Sequence, residues 1–230
     1  MSNIQIFYQH FFEYGGYTDF FKGLSNTASI AVFGLLIGFL LGCVIATVKL
    51  IPGKNPLVKI AQVVCDLYVT LFRGTPMVVQ LLLMHFALFP MLNIEIKSVA
   101  EAMIIFGMNS AAYMSEILRS GINAVDGGQM EAGRSLGFGF AQTMVRIILP
   151  QAIKNILPTL GNEFIALIKE TSVVSFIAVL DITKSFQNIA ASTYEYFVPY
   201  IALAIVYLVL VLFITWLIKI METRLKKNER

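Results

Sequence analysis

Seven polar or charged residues stand inside otherwise apolar stretches of the sequence: Asn109, Glu116, Glu163, Lys169, Glu170, Thr171 and Ser172. A charge at the centre of an apolar helix costs about 2.5–3.5 kcal/mol on insertion scales, so such residues line a cavity, face a bundle interior or pair with each other. Glu163 and Glu116 each suit an amino group. Lys169 is spaced equally well to pair with Glu163 or Glu170 as a structural ion pair. This is the chemistry of binding and charge pairing rather than of bond making. His10 and His85 stand alone, Cys43 and Cys65 lie in apolar surroundings away from any second Cys or His, and no nucleophile–base pair or metal cluster emerges. The sequence also lacks a Gly-x-x-x-x-Gly-Lys-Ser/Thr loop, so the chain is not expected to bind or hydrolyse ATP.

A second set of residues is patterned for contact with another protein. Between 123 and 160 the chain is long for a connection between apolar helices, yet it is not low in complexity. Gln129 to Leu136 reads as a short helix with Glu131 in its first turn, where a carboxylate suits the helix dipole. Gly137 and Gly139 break it, a second apolar helix runs from about Phe140 to Leu149, and Pro150 ends or kinks that one. A short glycine-hinged helix pair of this kind is either a docking element for a soluble partner or a surface helix linking two longer ones.

The elements that must carry these residues are membrane spans. The chain of 230 residues is 57% hydrophobic and 13% charged, against about 45–50% and 25% for a soluble domain. That balance excludes a nucleic-acid arm, a disordered solvating chain and a small secreted scaffold. Lys22 and Lys49 enclose 26 residues without a charge, Arg73 and Glu95 enclose 21, and Glu195 and Lys219 enclose 23, where a helix needs roughly 20 to cross a bilayer. The expected fold is an all-α polytopic membrane protein with about five spans, near 24–48, 75–92, 98–118, 157–180 and 197–218.

Thirteen of the seventeen basic residues fall in segments 49–73, 119–154 and 219–230, which puts those segments in the cytoplasm, the N-terminus outside and the C-terminus inside. Residues 57–72 carry Lys59 and Asp66 and read as a cytoplasm-facing or deeply packed helix rather than a sixth span. Arg73, beside Gly74 and Pro76, marks either the cytoplasmic end of a helix break or a snorkelling anchor. The first 22 residues carry acids ahead of their one base and do not resemble a cleavable signal. Their aromatics, Phe7 to Phe21, suit an interfacial belt or a short surface helix. Gly34, Gly38 and Gly42, followed by Ala46, put small residues on one helix face for close packing with another helix.

The stretch from Gly128 to Gly137, with Glu131-Ala132-Gly133 within it, and Ile147-Ile148-Leu149-Pro150 beyond it, resembles the EAA loop of ABC importer permeases. That loop reads Glu-Ala-Ala, three residues, Gly, nine residues, Ile, one residue, Leu-Pro. Here Gly137 follows Gly133 by four, Ile147 follows Gly137 by ten, and Leu149-Pro150 close the motif. The one departure, Gly133 for the second Ala, keeps the position small. Leu71-Phe72-Arg73-Gly74-Thr75-Pro76 with Val79-Gln80-Leu81 is similar to the opening of the second span in polar amino-acid permeases. Ala112-Tyr113, Glu116, Arg119 and Gly121-Ile122 resemble that subfamily's approach to the loop. Lys169-Glu170-Thr171-Ser172 resembles its Lys-x-Thr-Ser-Leu segment with Val173 for Leu, and Gly23-Leu24 and Thr27 fit its first span. The ordered set covers most of residues 23–180 and is similar to permeases of the histidine/glutamine type.

The resemblance implies a type I ABC importer transmembrane architecture in a bacterial cytoplasmic (inner) membrane. An external N-terminal segment, 1–22, would precede a permease domain, 23–220, with its coupling loop near 123–155, and a basic cytoplasmic tail, 221–230. It implies a non-catalytic subunit working with two ABC ATPase subunits, a second permease subunit (a like copy or a related chain) and an extracytoplasmic amino-acid-binding protein, with no nucleic acid. The chain itself would hold no cofactor, ATP and Mg being used by the ATPase. Glu131, Ala132, Gly133, Ser135, Leu136 and Gly137 would form the ATPase contact, with Ala132 and Gly133 keeping the helix slim enough to enter a groove. Asn109, Glu116, Glu163, Lys169, Thr171 and Ser172 would line the path of a polar amino acid into the cytoplasm. Two rival readings are an ion-coupled secondary transporter or channel, which leaves the loop unexplained, and a scaffold or sensor without a path.

Overall fold

A computed structural model describes residues 2–51 and 55–227, the last three as backbone only. Lys54, Arg230 and the side chains of Lys226 and Lys227, all part of the basic count, lie outside the described residues. Every regular element among the described residues is helical. The chain opens with α1 (Asn3–Tyr8), capped by Ser2 and Gln5 and continued by a π turn to Glu13. Gly15, at φ 83°, turns the backbone into α2 (Gly16–Leu50), a helix of 35 residues. The aromatics of the opening segment divide between two roles. Phe7, Phe11 and Phe20 gather round Phe186 at ring separations of 6.3, 6.1 and 5.9 Å, while Tyr8, Phe12, Tyr14 and Phe21 stay exposed, as a membrane-interface belt requires.

The glycine face of α2 meets α6 (Ser98–Asn123). A Cβ on Gly38 would sit 2.6 Å from the Ser110 Cβ, and one on Gly42 would sit 2.5 Å from the Met114 Cβ. The two backbones therefore approach to a distance only glycine allows, the packing mode of membrane helices, which gain little from hydrophobic burial in lipid. Phe106, Ile105, Ile30 and Leu81 fill the core beside this seam.

Residues 57–72 are helical, within α3 (Pro56–Gly74). After Thr75-Pro76 the chain resumes as α4 (Met77–Leu83), a π turn and the short α5 (Phe89–Met91). The bend at the break is 107°. This pair follows α6 along its length: Asp66 lies near Glu116 through Lys49, Tyr68 reaches the Met108 carbonyl, and His85 pairs with Glu101. The stretch is a helix pair broken at Thr75-Pro76.

After α6 come α7 (Gly127–Ser135), α8 (Phe140–Thr143), a π turn at Met144–Ile148 and α9 (Leu149–Glu170). Three sequence expectations change here. The short helix starts two residues earlier than Gln129, with Asp126 as its cap. Pro150 does not end a helix: helical backbone runs on from α8 through the π turn at Met144–Ile148 into α9, and Pro150 stands two residues past that turn. The expected span 157–180 is helical only to Glu170, then tightens to a 3₁₀ segment (Thr171–Ile177) that ends at Ala178 with φ 58°.

The chain then enters α10 (Ile182–Thr193) and finally α11 (Phe197–Lys227). Irregular backbone at membrane depth survives only where its polar groups find partners. Here Asn26 donates to the Leu180 carbonyl at 2.8 Å, and the Asp181 carboxylate accepts from the Lys184 and Thr183 amides at 2.7 and 3.1 Å. By length and composition α2 and α11 are each long and apolar enough to cross a bilayer, and the α3–α5 pair is so only when taken together as one span. The more polar α6 and α9 fall below that measure.

Candidate functional site

The segment α7 to α9 builds an exposed platform. Asp126 accepts from the Gly128 amide at 2.7 Å and caps α7. Glu131 consequently lies beyond the first turn, so its carboxylate is not used as a helix-start group. It is exposed, as are Ala132, Ser135 and Leu136, and it forms no ion pair among the described residues. Leu136, a large apolar side chain, is 75% exposed.

Gly133 has the opposite orientation to the one expected. It is buried, and a Cβ there would meet Thr143 Cγ2 at 2.5 Å and Ile147 Cδ1 at 3.1 Å. Its smallness seats α7 on the α8–π segment rather than thinning the face that α7 shows outward. Gly137, at φ 85°, lets the chain leave α7: its amide donates to the Arg134 carbonyl and the Phe138 amide to the Gly133 carbonyl. That left-handed C-terminal turn is the conformation glycine favours.

The intramembrane polar residues do not form one site. Asn109 is buried and works on the α3–α4 break. Its amide donates to Gln80 Oε1 at 2.9 Å, and Gln80 in turn donates to the Phe72 and Thr75 carbonyls at 2.8 and 3.0 Å and to Thr75 Oγ1 at 2.8 Å. Glu116 is held by Lys49 and Arg119, each at 2.7 Å. Thr171 is buried and bonds its own helix at the Ile168 carbonyl.

Glu163 is half-buried, receives a hydrogen bond from Ser110 at 3.4 Å, and feels the charges of Glu170 and Arg73. Arg73 itself lies over the Tyr113 ring, 5.3 Å from its centroid, a cation–π contact that holds the guanidinium close to the bundle. Lys169 is exposed and forms no ion pair with Glu163 or Glu170 among the described residues. With Ser172 it lines a pocket of about 300 Å³ shared with Thr183, Tyr200 and Tyr207. The structure thus groups Glu163 with Ser110, Arg73 and Glu170, sets Lys169 and Ser172 beside Tyr207, and gives Asn109, Glu116 and Thr171 structural partners. Gln80, placed by the sequence only in a resemblance, is the residue that organises the break. A lone amide one turn past a proline gave no stronger signal.

The geometry is matched by known proteins. The model of the family of binding-protein-dependent transport system inner membrane components matches residues 34–227. The chain is 41% identical over 208 residues to the arginine transport system permease protein ArtQ of Bacillus subtilis (strain 168), covering 90% of this chain and 93% of that one. It is 39% identical over 204 residues to a putative glutamine transport system permease protein, GlnP, of Rickettsia bellii (strain RML369-C), covering 89% and 91%. Among solved structures, an amino acid ABC transporter with histidines superposes with a TM-score of 0.83 at 40% identity, over 93% of this chain and 98% of that one. A subunit of the MetNI methionine ABC transporter, at 15% identity and a TM-score of 0.74 over 88% and 94%, shares the fold.

Proposed function

We propose, since this chain belongs to the family of binding-protein-dependent transport system inner membrane components, that it is the permease subunit of an ABC importer moving a polar amino acid into the cytoplasm. Its ATPase partners bind the platform of α7, and the binding protein delivers substrate at the opposite face. In this reading the N-terminus lies outside and the α7 platform in the cytoplasm, an orientation supported by the distribution of basic residues. The observation that carries this reading is the outward face of α7. Glu131, Ala132, Ser135 and Leu136 are all exposed on a helix whose other side is fixed by Gly133. A carboxylate without an internal partner, beside an unburied leucine, suits a protein groove that supplies donors and apolar cover.

The path chemistry is consistent with a zwitterion. Glu163 and Glu170 offer carboxylates to an α-ammonium group, while Arg73, whose charge reaches Glu163, offers a cation to an α-carboxylate. Arginine, glutamine and cystine are the cargoes named for relatives of this chain, and a set with both signs of charge accommodates the backbone groups they share. Two permease subunits close the path in the assembled importer, and ATP with Mg is used by the ATPase subunits.

The test is cysteine cross-linking in membranes expressing the whole transport system. A single Cys at Ala132, with Cys43 and Cys65 replaced, is expected to form an adduct with the ATPase that changes when ATP is added. Absence of an adduct, with uptake persisting after the ATPase is deleted, would favour an ion-coupled carrier and end the importer reading.

A further inference from the structure

Three helices, α2, α3 and α6, are tied by four charged side chains. Lys49, at the end of α2, lies 2.9 Å from Asp66 of α3 and 2.7 Å from Glu116 of α6. Glu116 also receives Arg119, through Nη2 at 2.7 Å and Nε at 3.2 Å. The Lys49 and Glu116 side chains are 14% and 19% exposed, whereas Asp66 is 61% exposed. A sheltered pair and an open one therefore share a single ammonium group. The sheltered pair is the persistent one, since exposed ion pairs are weak and easily exchanged for water.

What Asp66 holds is unusual. Over its 19 residues α3 buries only Val69, and Leu57, Ile60, Val63, Val64, Leu67 and Leu71 all face outward. One narrow stripe, Val58, Ala61, Cys65, Val69 and Phe72, packs toward α2 and α6, and polar links reinforce it. These links are Lys49 to Asp66, the Gln62 amide donating to the Ile51 carbonyl at 2.9 Å, and the Tyr68 hydroxyl donating to the Met108 carbonyl at 2.5 Å. At its far end α3 meets the 107° bend. Meanwhile α6 runs from Glu116 and Arg119 to Asn123, and α7 begins at Gly127. Motion of α7 reaches α6 by two routes, through the short 124–126 link and through its seat on Thr143 and Ile147 into α9, which packs on α6.

We propose that Lys49 is a positioning residue that makes α3 follow α6, so that displacement of α7 swings the cytoplasmic half of the broken span. Glu116 anchors Lys49 to the α7-bearing helix, and Asp66 is the handle by which α3 is drawn along. The role rests on the importer reading, in which α7 is driven by the ATPase. It also explains why Glu116, although a membrane carboxylate, is saturated by cations and has no free oxygen for cargo.

The experiment uses the complete complex, permease with its ATPase and binding protein, in proteoliposomes, with ATP hydrolysis and amino-acid uptake measured on the same sample. Asp66→Asn keeps an exposed side chain of the same shape and is expected to assemble normally. It should leave ATP turnover near the unmodified level while uptake per ATP falls about threefold, the bias an exposed ion pair can supply. Lys49→Arg should retain the unmodified ratio, and the exchange Lys49→Asp with Asp66→Lys should recover less, because Glu116 then faces a carboxylate. An unchanged uptake-to-ATP ratio in Asp66→Asn, in a complex whose unmodified form imports, would overturn the role of Lys49 alone. An unmodified complex with no ATP-driven uptake would overturn the importer reading and this role with it.

Discussion

Gly133 stands so close to Thr143 that a Cβ on the glycine would lie 2.5 Å from Thr143 Cγ2 and 2.9 Å from its Oγ1. The relationship fixes which way α7 faces. A helix of nine residues cannot hold its own shape in water, and this one is stabilised by its cap at Asp126 and by its seat on Thr143 and Ile147. Its exposed face is then whatever Gly133 does not point toward. Glu131 and Ser135 belong to that face.

Gly133→Ala is therefore expected to unseat α7 although alanine is usual at this place in related loops. Overpacking of one methyl group against a fixed neighbour costs about 1–3 kcal/mol, enough to lower coupled uptake severalfold. Gly133→Ala with Thr143→Ala removes the obstructing methyl and should recover most of the loss. Uptake and ATP hydrolysis by the reconstituted single and double variants check this. A single variant that behaves like the unmodified protein would show that Thr143 yields.

Glu131→Gln separates a coupling role from a structural one. Glu131 has no internal ion pair among the described residues and does not stand in the first turn. The folded subunit should keep its thermal stability in detergent within about 0.5 kcal/mol, as surface changes usually do. Loss of a charge-assisted bond to the ATPase, about 1.5–3 kcal/mol, should lower ATPase affinity at least tenfold. Parallel melting and pull-down titrations give the two readings. A large drop in melting temperature with binding intact would reverse the assignment.

Much of this arrangement was legible in the sequence, and the limits have physical causes. The glycines at 34, 38 and 42 announced a close helix contact because their spacing puts them on one face, and the structure supplies α6 as the partner. Charge gaps located α2 and α11, whose apolar runs are unbroken, far better than α9, where Glu170 and the tightened turn after it end the helix ten residues early. The polar set could be recognised as a group that needs partners. Which partner each residue takes is decided by the third dimension. Glu116 meets Lys49 from 67 positions away, and Asn109 meets Gln80 from 29 away. No periodicity within one helix encodes such pairs.

Gly38→Leu and Gly42→Leu probe the α2–α6 seam. Each puts bulk where a Cβ alone would already lie 2.6 or 2.5 Å from a neighbouring side-chain carbon, so the helices must separate. Separation removes contacts along the whole glycine face, and both variants should lower the melting temperature and the yield of folded subunit more than Leu36→Ala on the exposed side of the same helix. Fluorescence-detected size exclusion of the three proteins ranks them. Equal yields would mean that the seam tolerates a wider spacing.

Glu163→Gln tests the path. Glu163 has Ser110 as its hydrogen-bond donor and the charges of Arg73 and Glu170 nearby. The amide preserves shape and the Ser110 contact, so assembly and basal ATP hydrolysis should persist. Removing the carboxylate from an ammonium-bearing cargo should lower uptake about tenfold or more, the scale of one charge-assisted bond. Uptake of a labelled amino acid at several concentrations provides the check, with an effect on KM expected before one on maximal rate. Unaltered uptake would place the cargo elsewhere.

Gln80→Leu is the severest change of the set. One amide group donates to two carbonyls and a hydroxyl across the break and accepts from Asn109. Among the described residues no buried side-chain polar atom lacks a partner. This substitution removes four hydrogen bonds at once and leaves the buried Asn109 amide with only its long 3.4 Å contact to the Phe72 carbonyl, a loss of about 1–3 kcal/mol for a buried polar group. Asn109→Leu removes only one of those bonds together with its donor and should destabilise less. Because both act on one network, the double variant should be little worse than Gln80→Leu alone. Thermal melts of the three purified subunits measure this directly. Strictly additive losses would mean that Gln80 and Asn109 hold the 107° bend independently.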